Sequence, residues 1–268
     1  MESSLFDYEA KIWGSYRVKL TPKFLGALRL KYALDDLSNI KGKVLEVGCG
    51  GGAMAKAIRY YRRDLDVFGC DISRRALAAA QREPMGVHFS YGDACNIPFL
   101  TGAFDAVLMF DILEHLKQPD VAVSEAVRVL GPGGLLHVSV PCEGNFFTLQ
   151  GILRRLGWGA FERTVGHIQM FNLSELKTIF LHHQQRIADV RWSGHLVSQF
   201  AHCAYVAWLS FPNTKLSTSV ESWLEESDHG FIPQFVSRLK DLVARMSYHE
   251  STLFAGIPGA EAHLTIYK

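Results

Sequence analysis

Val44-Leu45-Glu46-Val47-Gly48-Cys49-Gly50-Gly51-Gly52 runs a buried-strand pattern straight into a glycine-rich turn, with an acidic side chain two residues before the first glycine. Glycines at 48, 50 and 52 let the backbone turn tightly through unusual dihedrals and remove side chains that would hold a ligand away from the main chain. The motif alone is ambiguous, because Gly48, Gly50 and Ala53 also fit the G-x-G-x-x-G/A spacing in which a pyrophosphate sits on a helix N-terminus.

The residues beyond the loop narrow the choice. Leu65 to Cys70 is a short, mostly apolar run ending in Asp71, 25 residues after Glu46, where a carboxylate can accept hydrogen bonds from both ribose hydroxyls. Ile72, next along, is an apolar residue able to lie on an adenine face. Val87 to Tyr91 predicts a third strand, followed by Gly92-Asp93-Ala94, whose carboxylate can accept from an adenine amino group. Phe104 to Phe110 predicts a fourth strand, followed by Asp111-Ile112-Leu113-Glu114-His115. Leu130-Gly131-Pro132-Gly133-Gly134 then closes a helix and opens a fifth strand, Leu135 to Val140.

In register, these segments resemble the class I S-adenosylmethionine-dependent methyltransferases, especially the small-molecule branch that includes the ubiquinone-biosynthesis O-methyltransferases. The resemblance covers residues 40 to 190. It implies an α/β, Rossmann-like, seven-stranded doubly wound sheet with an antiparallel last strand, and S-adenosylmethionine as cofactor. It also implies site roles: Gly48, Gly50 and Gly52 against the methionine part, Glu46 near its amino group and Asp71 on the ribose. Ile72, Asp93 and Ala94 would surround the adenine, and Phe110 would lie near the sulfonium. Two other readings stay open, a nicotinamide-dependent oxidoreductase and a cofactor-binding partner subunit without activity of its own.

Composition agrees with an ordinary globular enzyme: 48% hydrophobic and 21% charged residues leave little room for extensive disorder. The net charge of +1 gives no general attraction to polyanions, so no nucleic-acid partner is expected despite Arg62-Arg63, Arg74-Arg75 and Arg154-Arg155. The five cysteines are odd in number and lack C-x-x-C spacing, which argues against a disulfide framework or structural zinc and for a reducing, cytoplasmic setting. Met1 to Ala10 lacks a basic-then-apolar signal pattern. The stretch His195 to Phe211 falls short of the ~20 apolar residues that span a bilayer.

The alternating β/α series predicts four parts: an N-terminal helical segment over 1–40, the core over 41–192 with a lid segment at 141–171, a helical cover over 193–260, and a final strand over 261–268. Ser73 is a candidate N-cap, and Asn172 with Glu175 has capping-box spacing. Helical patterns within the cover fall at Leu196 to Leu209, Ser217 to Glu226 and Phe235 to Met246. Strand six, Arg186 to Trp192, runs parallel to the first five, so the cover starts at the ligand-binding edge of the sheet.

Aromatic residues and arginines in the lid segment (Phe146, Phe147, Trp158, Phe161, Phe171, Arg154, Arg155, Arg163) point either to a small core of the lid itself or to an amphiphilic acceptor with an anionic or polar head. Methyl transfer from a sulfonium is an in-line displacement, and a hydroxyl acceptor benefits from a base. His115 is the first candidate for that base and His167 the second. Asp111, Glu114 and His115 match positions where some relatives resemble a divalent-metal site, but the pattern is widespread without metal, and none is expected here. A small-molecule acceptor is the expected partner, with a homodimer and a peripheral membrane contact left open.

Overall fold

Alternation along the central strands assigns the faces of the sheet. Leu45 and Val47 of β1 (Gly42–Val47) join Val107 and Met109 of β4 (Phe104–Phe110) in one buried cluster, while Val44, Ala106, Leu108 and Phe110 join another on the opposite face. Strands buried on both faces, with successive side chains pointing to opposite sides, require helices on both sides. The computed structural model describes residue 9 and residues 12–14, 16–158, 166–209, 223–224 and 230–268.

The remaining strands are β2 (Leu65–Asp71), β3 (Val87–Tyr91), β5 (Leu130–Pro141), β6 (Ile187–Ser193) and β7 (Glu261–Tyr267). They form one seven-stranded sheet in the order β3-β2-β1-β4-β5-β7-β6. β7 is antiparallel to both β5 and β6, and the other pairings are parallel. This is the doubly wound arrangement expected, with the last strand reversed. β5 is longer than the expected Leu135 to Val140. Leu130 already pairs with Phe104, and the register slips between Phe104 and Ala106 to absorb the glycine run.

Helices α1 (Ala27–Asp36) and α2 (Ala53–Tyr61) bury Leu30, Ala33, Ala57 and Ile58 on one face. On the other, α4 (Pro119–Val129) and α6 (Leu173–His182) bury Val123, Ala126, Leu176 and Phe180; α5 (Leu149–Arg155) lies in the lid segment. Ser73 caps α3 (Arg74–Arg82) by accepting from Ala76 N at 3.1 Å, and the Asn172–Glu175 capping box is formed at both hydrogen bonds. α1 is fastened through Asp36, whose Oδ2 accepts from His137 Nδ1 at 2.6 Å and Thr265 Oγ1 at 2.9 Å. That fastening sets the position of Arg29 on the same helix.

Between β6 and β7 lie α7 (Leu196–Leu209) and α8 (Phe231–Leu253), which pack on each other, α7 also meeting α5. Ser193 pairs with Glu261, so both ends of this insertion attach at the same edge of the sheet. The Ser217 to Glu226 helical pattern lies almost wholly outside the described residues, as do Phe161, Arg163 and Phe211. No helix among the described residues is long and apolar enough to cross a membrane.

Candidate functional site

A cavity of about 870 Å³ opens at the carboxyl ends of β1, β2, β4, β5 and β6. Its floor is the glycine loop. Gly48 and Cys49 donate their N–H groups to Cys70 O at 2.8 and 3.0 Å, tying the loop to the end of β2. Gly48 (φ +72°) could not carry a Cβ, which would lie 1.9 Å from Ile112 Cδ1. At Gly50 (φ +52°) a Cβ would lie 2.6 Å from the Trp13 carbonyl oxygen. Trp13 and Gly14 are stitched onto the loop, Trp13 O accepting from Gly51 N at 2.7 Å and Gly14 O from Ala53 N at 3.0 Å. The segment before α1 thus forms part of the wall.

Asp71 ends β2 with Oδ2 accepting from Gly50 N at 2.7 Å and Oδ1 from Ser73 N at 2.8 Å. Burial raises its pKa, against the lowering effect of those two amides. Each carboxylate oxygen has a second lone pair, so the side chain holds the loop and can still accept from ligand hydroxyls. Glu46 is buried at the cavity wall, its Oε2 without a hydrogen-bond partner among the described residues, and burial pushes its pKa up to about 8. A buried, unsatisfied carboxyl facing a cavity calls for a cationic or hydrogen-bonding ligand group. Glu46, Asp71 and the glycine backbone therefore fit the amino-acid and ribose parts of S-adenosylmethionine.

The anticipated adenine residues are placed differently. Phe110 lines the cavity, but Ile72, Asp93, Ala94 and Gly52 do not. Ile72 is exposed, Ala94 packs against the core, and Asp93 Oδ1 accepts from Cys95 N at 2.8 Å in a local turn. Gly52 is the left-handed N-cap of α2 (φ +81°), where a Cβ would meet the Phe89 ring. Beside Ser73, the Glu9 carboxylate accepts from the N–H groups of Arg74 and Arg75 at 2.7 and 3.1 Å and from Ser73 Oγ at 3.2 Å, capping α3.

Opposite the loop, both candidate histidines line the cavity, their ring centroids 5.0 Å apart. They are held differently. His115 Nδ1 donates to Gly166 O at 3.1 Å, and burial followed by the charge of His167 lowers its pKa to about 4. His167 Nδ1 donates to Glu143 Oε1 at 2.7 Å, and Arg154 Nη1 bonds the other oxygen of Glu143. Burial opposes ionisation of Glu143, but His167 and Arg154 together hold its pKa below the usual carboxylate range. With Nδ1 donating to a carboxylate, the neutral imidazole carries its lone pair on Nε2, the tautomer that takes a proton there. Glu143 carries no motif of its own in the sequence. Arg154, anticipated as a contact for an anionic head, is committed to Glu143 instead.

The set Asp111, Glu114 and His115 is not brought together. Asp111, at φ +51°, lines the same cavity but pairs with Arg29 Nη1 at 2.7 Å; Arg29 Nη2 also binds Glu261 Oε1 at 2.6 Å. Burial alone would lower the Arg29 pKa, but the two carboxylates more than offset it and keep the guanidinium charged. The ligand atoms that do converge, within 4.8 Å of one another, belong to Glu114, His115 and His167. Glu114 is fully buried, and burial, then the Asp111 charge, raises its pKa well above the ordinary value.

The apolar wall comes from segments far apart in sequence: Tyr16, Phe24 and Leu28 before and within α1, Tyr205 on α7, Val236 and Val243 on α8. Phe146 and Phe147 are exposed and do not line it, Arg155 stacking over Phe146. Trp158 packs with Trp13, Leu149, Leu153 and Tyr205 around Cys203 and Val206, where the lid segment meets α7 and the segment before α1.

A methyltransferase-domain model matches residues 45–138. A ubiquinone biosynthesis O-methyltransferase of Alkalilimnicola ehrlichii is 33% identical over 141 residues, 50% of this chain and 56% of that protein. An ajmaline N-methyltransferase of Rauvolfia serpentina is 34% identical over 132 residues, 47% and 45% of the two chains. The chain spans about half the length of these curated relatives. Among solved structures, phosphoethanolamine N-methyltransferase 2 of Haemonchus contortus, in complex with S-adenosyl-L-methionine, superposes with a TM-score of 0.57 at 18% identity, over 90% of this chain and 52% of that one. The [4+2]-cyclase SpnF superposes with a TM-score of 0.58 at 22% identity, over 90% and 80%. A fold shared by transferases and a cyclase does not by itself name a reaction.

Proposed function

We propose that the methyltransferase domain carried by this chain serves an S-adenosylmethionine-dependent enzyme that methylates a small amphiphilic acceptor at oxygen. The observation that carries the reading is one cavity with two equipped walls. The glycine loop with Asp71 and the unsatisfied Glu46 lies on one side, and a histidine oriented by a buried carboxylate on the other. When bound, S-adenosylmethionine supplies an activated methyl group, and the residues of the chain do the rest.

Glu46 neutralises a cationic amino group, Asp71 accepts from ribose hydroxyls while holding Gly50, and Phe110 packs near the reacting end. His167 accepts the acceptor's hydroxyl proton at Nε2. Glu143, kept ionised by Arg154, stabilises the imidazolium that forms; such positioned bases contribute ~10² to 10⁴ in rate. His115, neutral at physiological pH and bonded to the Gly166 carbonyl, orients the acceptor rather than taking its proton. α7 and α8 act as the cover of the cavity, and Tyr205, Val236 and Val243 give an apolar body its contacts.

Calorimetric titration separates this reading from its competitors. S-adenosylhomocysteine binds and NADH does not; tighter binding of NADH would return the site to a nicotinamide cofactor. Cofactor binding without methyl transfer to any of a panel of hydroxyl-bearing amphiphiles would support a non-catalytic partner subunit.

A further inference from the structure

α8 stands between the cavity and solvent and is differentiated on its two sides. Val236, Lys240, Val243, Ser247 and Ser251, at helical spacing, face the cavity. Along the side next to that face Phe231, Phe235, Leu239, Leu242 and Met246 form an exposed stripe, with Leu253 two turns beyond Met246, each between 49% and 83% exposed. A continuous exposed apolar stripe of this length is not ordinary surface. The charges beside it have one sign. Arg238 and Arg245 are exposed on the same side. The two acidic residues of the helix are engaged elsewhere, Asp241 with Lys240 Nζ at 3.0 Å and Glu250 accepting from Val197 N at 3.0 Å.

We propose that this stripe seats the chain on the surface of an anionic phospholipid bilayer, with α8 lying in the membrane plane. An interfacial helix needs an apolar face that sinks to the acyl boundary and basic side chains that reach the lipid phosphates, and α8 presents both on one side. The charge pattern disfavours a second copy of the chain as occupant. A two-fold pairing of the stripe crossing at Leu242 would bring Arg238 and Arg245 of both copies into one contact with no exposed acid on the helix to match them. Leu239 belongs to both sides of the helix, exposed and lining the cavity, so the cavity reaches the surface beside the seated face. The proposal goes beyond the reading of the cavity and does not depend on which reaction the cavity performs.

Co-sedimentation of the full chain with vesicles tests it. The chain pellets with phosphatidylcholine vesicles containing phosphatidylglycerol and stays in the supernatant with phosphatidylcholine alone. Arg238→Gln with Arg245→Gln lowers partition about 30-fold, equivalent to ~1 kcal/mol per basic residue near an anionic surface. Phe235→Ser with Leu242→Ser lowers it on the order of a hundredfold. Both pairs lie outside the cavity lining and keep wild-type affinity for S-adenosylhomocysteine, which controls for folding. Failure to pellet with either vesicle overturns the proposal, as does partition unchanged in both pairs. A wild-type dimer in sedimentation velocity that Leu242→Ser dissociates, without vesicle binding, reassigns the stripe to a second copy.

Discussion

The two walls of the cavity are built by different means. The cofactor wall, from Glu46 to Asp71, is backbone geometry: amides of Gly48, Cys49 and Gly50 bonded to Cys70 O and Asp71, within one β-α-β unit. The opposite wall is side chains converging from Tyr16 to Leu28, from His115, from Glu143 to His167, and from α7 and α8. A wall of backbone tolerates few residues at each position, because a Cβ at Gly48 or Gly50 meets another atom at once. A wall of side chains can be rebuilt by substitution without altering the sheet, and on the proposed function it is where acceptor choice would be set.

The largest effect that sharpens this contrast falls on the acceptor wall. His167→Ala lowers turnover by ~10² to 10⁴ while the cofactor dissociation constant stays within about twofold. Equal losses in turnover and cofactor binding would merge the two walls into one. Next, Asp71→Ala weakens S-adenosylhomocysteine by ~1.5 to 3 kcal/mol in calorimetry, through loss of a charged acceptor. Wild-type affinity in that variant would remove Asp71 from the cofactor wall. Gly50→Ala forces a side chain into positive φ against Trp13 O and costs ~1 to 3 kcal/mol of stability by denaturant unfolding.

The smallest effect depends on pH. The folded pKa of Glu46, about 8, lies above its ordinary 4.5, so the native state binds more protons in that window and the contribution of Glu46 to stability falls as pH rises through it. Glu46→Gln removes this cost. The variant gains ~1 to 2 kcal/mol over wild type in melts near the upper end of the window and almost nothing near the lower end. A pH-independent difference would mean that Glu46 is already ionised in the cofactor-free chain.

The same contrast explains how much of the molecule is legible in its sequence. Glu46, the glycines and Asp71 lie in one local pattern, and the succession of strands and helices along the chain follows from a β/α alternation that each segment declares for itself. The reversed β7 is not declared by any local pattern; it is what the family resemblance implies, and the attachment of the insertion at the ligand edge follows from the parallel β6. The adenine residues are less legible, because Asp93 Oδ1 accepts from Cys95 N in its own turn, outside the cavity lining, and Glu9 caps α3 from a distant segment. Glu143 and Arg29 cannot be found by spacing. Their partners, His167 and Arg154 for one and Asp111 and Glu261 for the other, are set by the fold. Sequence alone ranks His115 ahead of His167 because it comes directly after β4, yet closeness in sequence says nothing about which imidazole a carboxylate orients.

Labelled-methyl transfer from S-adenosylmethionine to hydroxyl-bearing amphiphiles, measured side by side for wild type, His167→Ala and Asp71→Ala at varied cofactor concentration, tests the two-wall account most directly. The account predicts label on the acceptor oxygen in wild type, a lowered maximal rate with unchanged cofactor KM in His167→Ala, and a raised cofactor KM with a largely retained maximal rate in Asp71→Ala. The same kinetic change in both variants, or label transfer that His167→Ala leaves untouched, would contradict it.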